Sequence, residues 1–190
     1  DLFTNELPLG DIEANRDILG RTYEYCIQHF AEYEGKKGGE YYTPDTIVPI
    51  LVEVLQPAAG MRIYDPCCGS GGMFAQAGKF IETHSGSRGD VSVFGQEANP
   101  DTWKMSKINM AIRGIGADFG MGHEDTLMHD IHAGTQMDRI FANPPFNQKK
   151  WGADRVKDDP RWKYGLPPDG NANYAWIQHM ISHLKPRGRI

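Results

Sequence analysis

Three short apolar runs, 61–64, 91–96 and 139–142, each stop at polar or glycine-rich residues, and helical periodicity fills 73–84 and 102–113 between them. Runs this short, bounded by turn residues, suit strands covered on both faces. Strand, helix, strand, helix is the order of a parallel sheet with helices on both sides, so the chain is expected to be α/β with a mostly parallel, Rossmann-like sheet. The first run ends at Asp65-Pro66-Cys67-Cys68-Gly69-Ser70-Gly71-Gly72, the second at Glu97 and the third at Asn143-Pro144-Pro145-Phe146. Ligands of such sheets bind at the carboxyl ends of the strands, where all three sets fall.

Around this unit, 1–38 reads as a polar lead-in and a helix over 17–33, with Ile18, Leu19, Tyr23, Cys26, Ile27 and Phe30 at helical spacing, the tail of a helical region ahead of a 39–190 domain. A short apolar helix is expected over 49–55, a weaker strand over 117–123, a helix over 172–184, and at 186–190 the turn into another strand, where the domain would stop incomplete. The intervening 147–171, rich in charge, Trp, Pro and Gly, reads as a long functional loop.

With 20 Lys+Arg against 25 Asp+Glu the net charge is -5, the opposite of the basic footprint of a protein that grips nucleic acid alone. No run approaches the roughly 20 apolar residues of a membrane span, and no signal peptide is recognisable, which predicts a cytoplasmic protein with no membrane contact. Three cysteines, two of them adjacent, make no spaced disulfide framework, and seven histidines without ligand spacing give no basis for a metal.

The glycines after the first strand let backbone pass close to a ligand. Their spacing is not the GxGxxG of dinucleotide binders, which disfavours a nicotinamide oxidoreductase, and no Lys-Ser/Thr pair marks a triphosphate loop. Glu97 can accept hydrogen bonds from both hydroxyls of a ribose, so loop and acid together suggest a nucleoside-containing cofactor; a tight turn with a surface Glu is the alternative.

Asn143-Pro144-Pro145-Phe146 is more particular. Two prolines fix the backbone and remove two N–H donors, which leaves rigid carbonyl acceptors. An exocyclic aromatic amine suits them: its lone pair is delocalised into the ring until hydrogen bonds to the Asn143 side-chain oxygen and the Pro144 carbonyl localise it, and Phe146 can stack on the base. Standing alone, the tetrapeptide also reads as a strand-ending turn with its aromatic in the core. Gly39-Glu40-Tyr41-Tyr42-Thr43-Pro44 offers aromatic faces to a sulfonium cation. By itself it reads more simply as an aromatic staple capped by Thr43 or Asp45.

Taken in order, GEYYTP, DPCCGSGG, the Glu97 strand end and NPPF resemble the amino-type DNA methyltransferases, and most closely the modification subunits of type I restriction-modification systems, over about 17–190. The resemblance implies a class I S-adenosylmethionine-dependent methyltransferase fold, acting on the N6 amine of an adenine flipped out of double-stranded DNA. Glu40, Tyr41, Tyr42, Thr43, Pro44 and Asp45 would contact the cofactor. Asp65, Gly69, Ser70, Gly71 and Gly72 would line its methionine part, and Glu97 would hold its ribose. Asp125 would read the cofactor's adenine amine, an Asp capping a turn being the alternative.

Asn143, Pro144, Pro145 and Phe146 correspond to the catalytic loop, and Cys67 and Cys68 are small loop residues. The implied partners are a sequence-specificity subunit, which would supply the DNA grip that an acidic chain lacks, and a translocating restriction subunit. In 147–171, Lys149, Lys150, Trp151, Arg155, Arg161 and Trp162 are candidates to contact a displaced strand through charge and stacking, with a solvated loop as the alternative. Because an NPP loop suits any planar amide or amine, methylation of protein glutamine or RNA bases is the nearest rival, and an inactive cofactor-binding scaffold is a reading of another class.

Overall fold

The computed structural model describes residues 12–34, 42–44, 46–84, 86–87 and 90–190. Its elements are α1 (Ile12–Glu34), α2 (Val48–Leu55), β1 (Arg62–Asp65), α3 (Gly72–His84), β2 (Ser92–Gly95), α4 (Pro100–Arg113), β3 (Ala117–Asp118), β4 (Met137–Ile140), a 3-10 turn (Ala153–Val156), α5 (Asn173–His183) and β5 (Leu184–Arg189). The strands form one sheet in the order β3-β2-β1-β4-β5, every pair parallel. The expected α/β fold with a parallel sheet is therefore what forms.

Register and order together position the site. Asp65 lies opposite Gly95 and Tyr64 opposite Ile140, so the segments that follow β1, β2 and β4 emerge side by side at one edge. The chain travels from β1 outward to β3, then returns to lay β4 on the other side of β1. That reversal opens a crevice between β1 and β4, the place where open α/β sheets bind ligands.

Successive strand residues face opposite sides of the sheet. Ile63 joins Val52, Phe74, Ile81, Val93 and Met110 in one core, whereas Tyr64 joins Met137, Ile140 and Met180 in another. α4 shows why the helices stop where they do: the Asn99 side chain accepts from the Asp101 and Thr102 amides, Pro100 opens the first turn, and Gly114 closes the last at φ 66.

Four expectations change. α1 begins at Ile12, ahead of the expected start, and it is docked: the Tyr23 hydroxyl donates to the Met105 carbonyl of α4 at 2.8 Å. β3 is only two residues long. β5 begins directly after α5 with no intervening turn, and its Pro186 is tolerated because β5 is an edge strand.

The fourth change is the largest. The 147–171 segment is folded onto the core rather than solvated: Trp151 and Trp162 are buried against each other edge to face at 5.6 Å, in a cluster with Leu127, Ala172 and Trp176. Arg161 is buried with them. These three side chains are thus withdrawn from any stacking on nucleic acid, while Lys149, Lys150 and Arg155 are exposed. No helix among the described residues is long and apolar enough to cross a membrane.

Candidate active site

The glycine-rich turn is built from β1 outward. Asp65 Oδ1 accepts from the Cys67 amide at 2.9 Å, the Cys68 amide donates to the Gln96 carbonyl at 3.0 Å, and the Gly71 amide returns to the Cys68 carbonyl at 2.9 Å. Gly69 and Gly71 sit at φ 54 and 80, in the left-handed region. At Gly71 the positive φ disfavours any side chain, and a Cβ would also crowd Met110 Cε at 3.3 Å.

Asp65 is the notable group. It is 1% exposed and its Oδ2 is buried with no hydrogen-bond partner. Burial pushes its pKa up to about 7, against the opposing pull of the Cys67 N–H. A buried carboxylate oxygen left without a donor is costly, and a ligand that brings a proton donor or a cation would relieve it. Burial also raises both neighbouring thiols, Cys67 and Cys68, well above the usual range, which keeps them protonated and unreactive, in accord with their expected role as loop residues.

Glu97 stands at the end of β2 with each oxygen already tied to the backbone: Oε2 accepts from the Gly69 amide at 3.1 Å and Oε1 from the Asn99 amide at 2.8 Å. These bonds fix the carboxylate against the glycine-rich turn. Each oxygen keeps a further lone pair, enough for a diol. Burial raises its pKa.

Asp125 sits on a turn pinned from two sides. The Thr126 hydroxyl donates to the Pro66 carbonyl, and the buried Gln96 side chain donates to the Glu124 and His129 carbonyls. Asp125 Oδ1 itself accepts from the Leu127 and Met128 amides, at 2.9 and 3.3 Å. The turn-capping alternative therefore describes one of its oxygens.

At the end of β4, the Asn143 side-chain amide donates to Thr43 Oγ1 at 3.4 Å. This joins two motifs a hundred residues apart and turns Oδ1 away as an acceptor. Phe146 is 83% exposed, its ring free to meet a planar partner. Of the segment before α2, Tyr42, Thr43 and Pro44 are described, and Glu40, Tyr41 and Asp45 lie outside the described residues. Tyr42 and Thr43 border a small open cleft together with Ser70 and Gly72.

The same cleft is lined by Tyr23, Glu24 and Ile27 of α1, Gln76 of α3 and Asn109 of α4. Sequence reasoning missed all five, because none stands in a motif and their proximity is created only by helix docking. A cluster of Asp130, His179 and His183 has ligand atoms within 4.8 Å of one another. Its ring nitrogens are engaged instead: His179 with the Tyr64 hydroxyl and Arg161, His183 with Asp130 and the Thr135 carbonyl. A guanidinium donating to His179 opposes a cation there, so the cluster is a hydrogen-bonded part of the fold.

The topology is that of the class I methyltransferases. A protein from Listeria monocytogenes assigned to the class I S-adenosylmethionine-dependent methyltransferases superposes on 89% of this chain, and 52% of its own, with a TM-score of 0.67; at 18% identity this is a likeness of fold alone. The chain belongs to the N-6 DNA methylase family, whose model matches residues 14–190. It is 53% identical over 175 residues to the type I restriction enzyme HindI methylase subunit of Haemophilus influenzae, covering 92% of this chain and 39% of that protein. The crystal structure of the type I restriction-modification methyltransferase subunit from Streptococcus thermophilus superposes with a TM-score of 0.78 at 30% identity, covering 90% of this chain and 38% of the other. The chain thus spans about two fifths of the length of these relatives.

Proposed function

We propose that this chain is the cofactor-binding and catalytic part of a type I modification subunit, which transfers the methyl group of S-adenosylmethionine to the N6 amine of adenine in double-stranded DNA. The observation that carries this reading is the convergence at one sheet edge of a buried Asp65 whose Oδ2 has no partner, a pinned Glu97 and an Asn143 bonded to Thr43. Asp65 Oδ2 suits the ammonium of the cofactor's methionine part, beside the Gly69–Gly72 backbone. Glu97 suits the ribose hydroxyls, and Asp125 the adenine amine. When bound, the cofactor supplies an electrophilic methyl on a sulfonium.

The residues of the chain do the rest. Asn143 Oδ1 and the Pro144 carbonyl would accept hydrogen bonds from the two N6 protons, localising the nitrogen lone pair toward the methyl; as N–CH₃ forms and S–CH₃ breaks to leave a neutral thioether, the N6 proton would pass along one of these bonds to solvent. Pro145 keeps the loop rigid, and Phe146 stacks on the flipped base. A sequence-specificity subunit supplies DNA affinity, consistent with a net charge of -5, and a translocating restriction subunit completes the system. The direct test is transfer of labelled methyl to DNA by the full-length protein assembled with its specificity subunit. Label on adenine N6 supports the reading; label on protein or RNA with DNA untouched replaces it.

Two further outcomes are expected of the full-length protein. Glu97→Ala weakens S-adenosylmethionine binding by about 10- to 100-fold, the loss of hydrogen bonds to a charged acceptor worth roughly 1.5–3 kcal/mol, measured by calorimetric titration. The affinity also depends on pH. Because the Asp65 carboxyl holds its proton up to about pH 7 without ligand, pairing with an ammonium requires that proton to leave. Affinity therefore rises with pH up to about 7, by at most about tenfold per unit, and levels off above it; Asp65→Asn removes this slope. A flat profile in the wild type would show that Asp65 does not face the ammonium.

A further inference from the structure

α1 reaches the glycine-rich turn through an unbroken chain of hydrogen bonds. Arg113, at the end of α4, donates from Nη2 to the Gly20 carbonyl at 3.0 Å and pairs with Glu24 at 2.7 Å. Close approach is possible because position 20 is glycine: a Cβ there would meet Arg113 Nη1 at 3.0 Å. Arg113 Nε donates to Asn109 Oδ1 at 2.9 Å, and Asn109 Nδ2 donates to the Ser70 carbonyl at 2.9 Å. Asn109 is 2% exposed. Since a guanidinium is a donor only, it dictates the Asn109 amide orientation and so turns the NH₂ group toward Ser70. At the end of this relay, Tyr23, Glu24 and Ile27 face the same cleft as Ser70 and Gly72.

We propose that α1 forms a wall of the S-adenosylmethionine pocket, and that Arg113 and Asn109 are positioning residues through which its docking holds the Ser70 carbonyl. This rests on the cofactor reading given above. Ser70 lies between two glycines in the left-handed region, residues that lose much backbone freedom when they are ordered. A turn held in advance by Asn109 does not have to be ordered when the cofactor arrives, so the relay acts on affinity rather than on the chemical step.

The test uses the full-length protein with S-adenosylmethionine as the titrant and transfer to DNA as the second readout. Asn109→Asp keeps an acceptor for Arg113 and loses the donor to Ser70. It is expected to weaken cofactor binding about tenfold and to raise the KM for cofactor by more than it lowers kcat, a split that a general loss of structure would not give. Arg113→Met is expected to match it, and the double variant to be no weaker than the weaker single, because both break one relay. Wild-type affinity in Asn109→Asp, or a double variant whose loss is the product of the two singles, overturns the relay. If Arg113→Met does not fold, Asn109→Asp decides alone. A wild-type protein that binds no S-adenosylmethionine overturns the functional reading itself, and this inference with it.

Discussion

Asn143→Ala is expected to lower methyl transfer at saturating cofactor by ~10²–10³-fold, the cost of removing one oriented acceptor from a site where charge develops, while leaving cofactor affinity within about twofold. The Asn143 amide donates from its NH₂ group to Thr43 Oγ1 at 3.4 Å, which leaves its oxygen free to accept. Alanine deletes that oxygen but leaves the Pro144 carbonyl, Asp65 and Glu97 in place. Single-turnover transfer of labelled methyl by the full-length complex, beside calorimetry on the same variant, reads both quantities. Equal transfer by wild type and variant would remove Asn143 from the chemistry. Asn143→Asp refines the outcome: it keeps an acceptor and loses the donor to Thr43, so a rate between those of wild type and alanine identifies orientation by Thr43 as part of the contribution.

The residues of this crevice were visible in sequence because each carries its own local reason. Parallel strands covered on both sides must be apolar, so β1, β2 and β4 stand out as runs, and the residues that break them mark the strand ends. The glycines of 69–72 and the prolines after Asn143 restrict backbone in ways that only a few conformations satisfy. What sequence could not show depends on pairs far apart in the chain. Nothing in α1 announces that Gly20 will receive Arg113, 93 residues away. β5 reads as a turn because Pro186 and Gly188 oppose strand formation, yet it pairs with β4 at the sheet edge. Asp125 reads evenly as an adenine contact or a turn cap, and in the structure one of its oxygens caps the turn.

The misreading of 147–171 has the largest energetic consequence. Arg161 reads in sequence as a nucleic-acid contact or part of a solvated loop, but it is 6% exposed and every donor is used: Nη1 to the Thr126 carbonyl at 2.8 Å and His179 Nδ1 at 2.9 Å, Nη2 to the Leu127 carbonyl and Asp159 Oδ2, both at 2.8 Å, and Nε to Asp159 Oδ1 at 2.9 Å. Burial drives the His179 pKa down to about 3, so its ring is neutral and its Nδ1 accepts from the guanidinium while Nε2 donates to Tyr64. Asp159 shows the same pairing from the other side: burial would raise its pKa, and the Arg161 bonds pull it below the ordinary carboxylate value.

Arg161→Leu strands an acid, an imidazole and two carbonyls at once, and is expected to cost ~3–5 kcal/mol of stability, read as a fall of roughly 1–3 M in the urea midpoint of the full-length protein. Arg161→Lys does not rescue it, because one ammonium cannot span the Thr126 and Leu127 carbonyls and Asp159 in the geometry of a planar fork. Lys163→Ala, two residues on and exposed, leaves the midpoint unchanged. An unchanged midpoint in Arg161→Leu would mean that the segment is not clamped to the core in solution. The clamp also bears on catalysis, because Thr126 bonds both Arg161 and the Pro66 carbonyl of the glycine-rich turn, so its loss should weaken cofactor binding at temperatures where the protein is still folded.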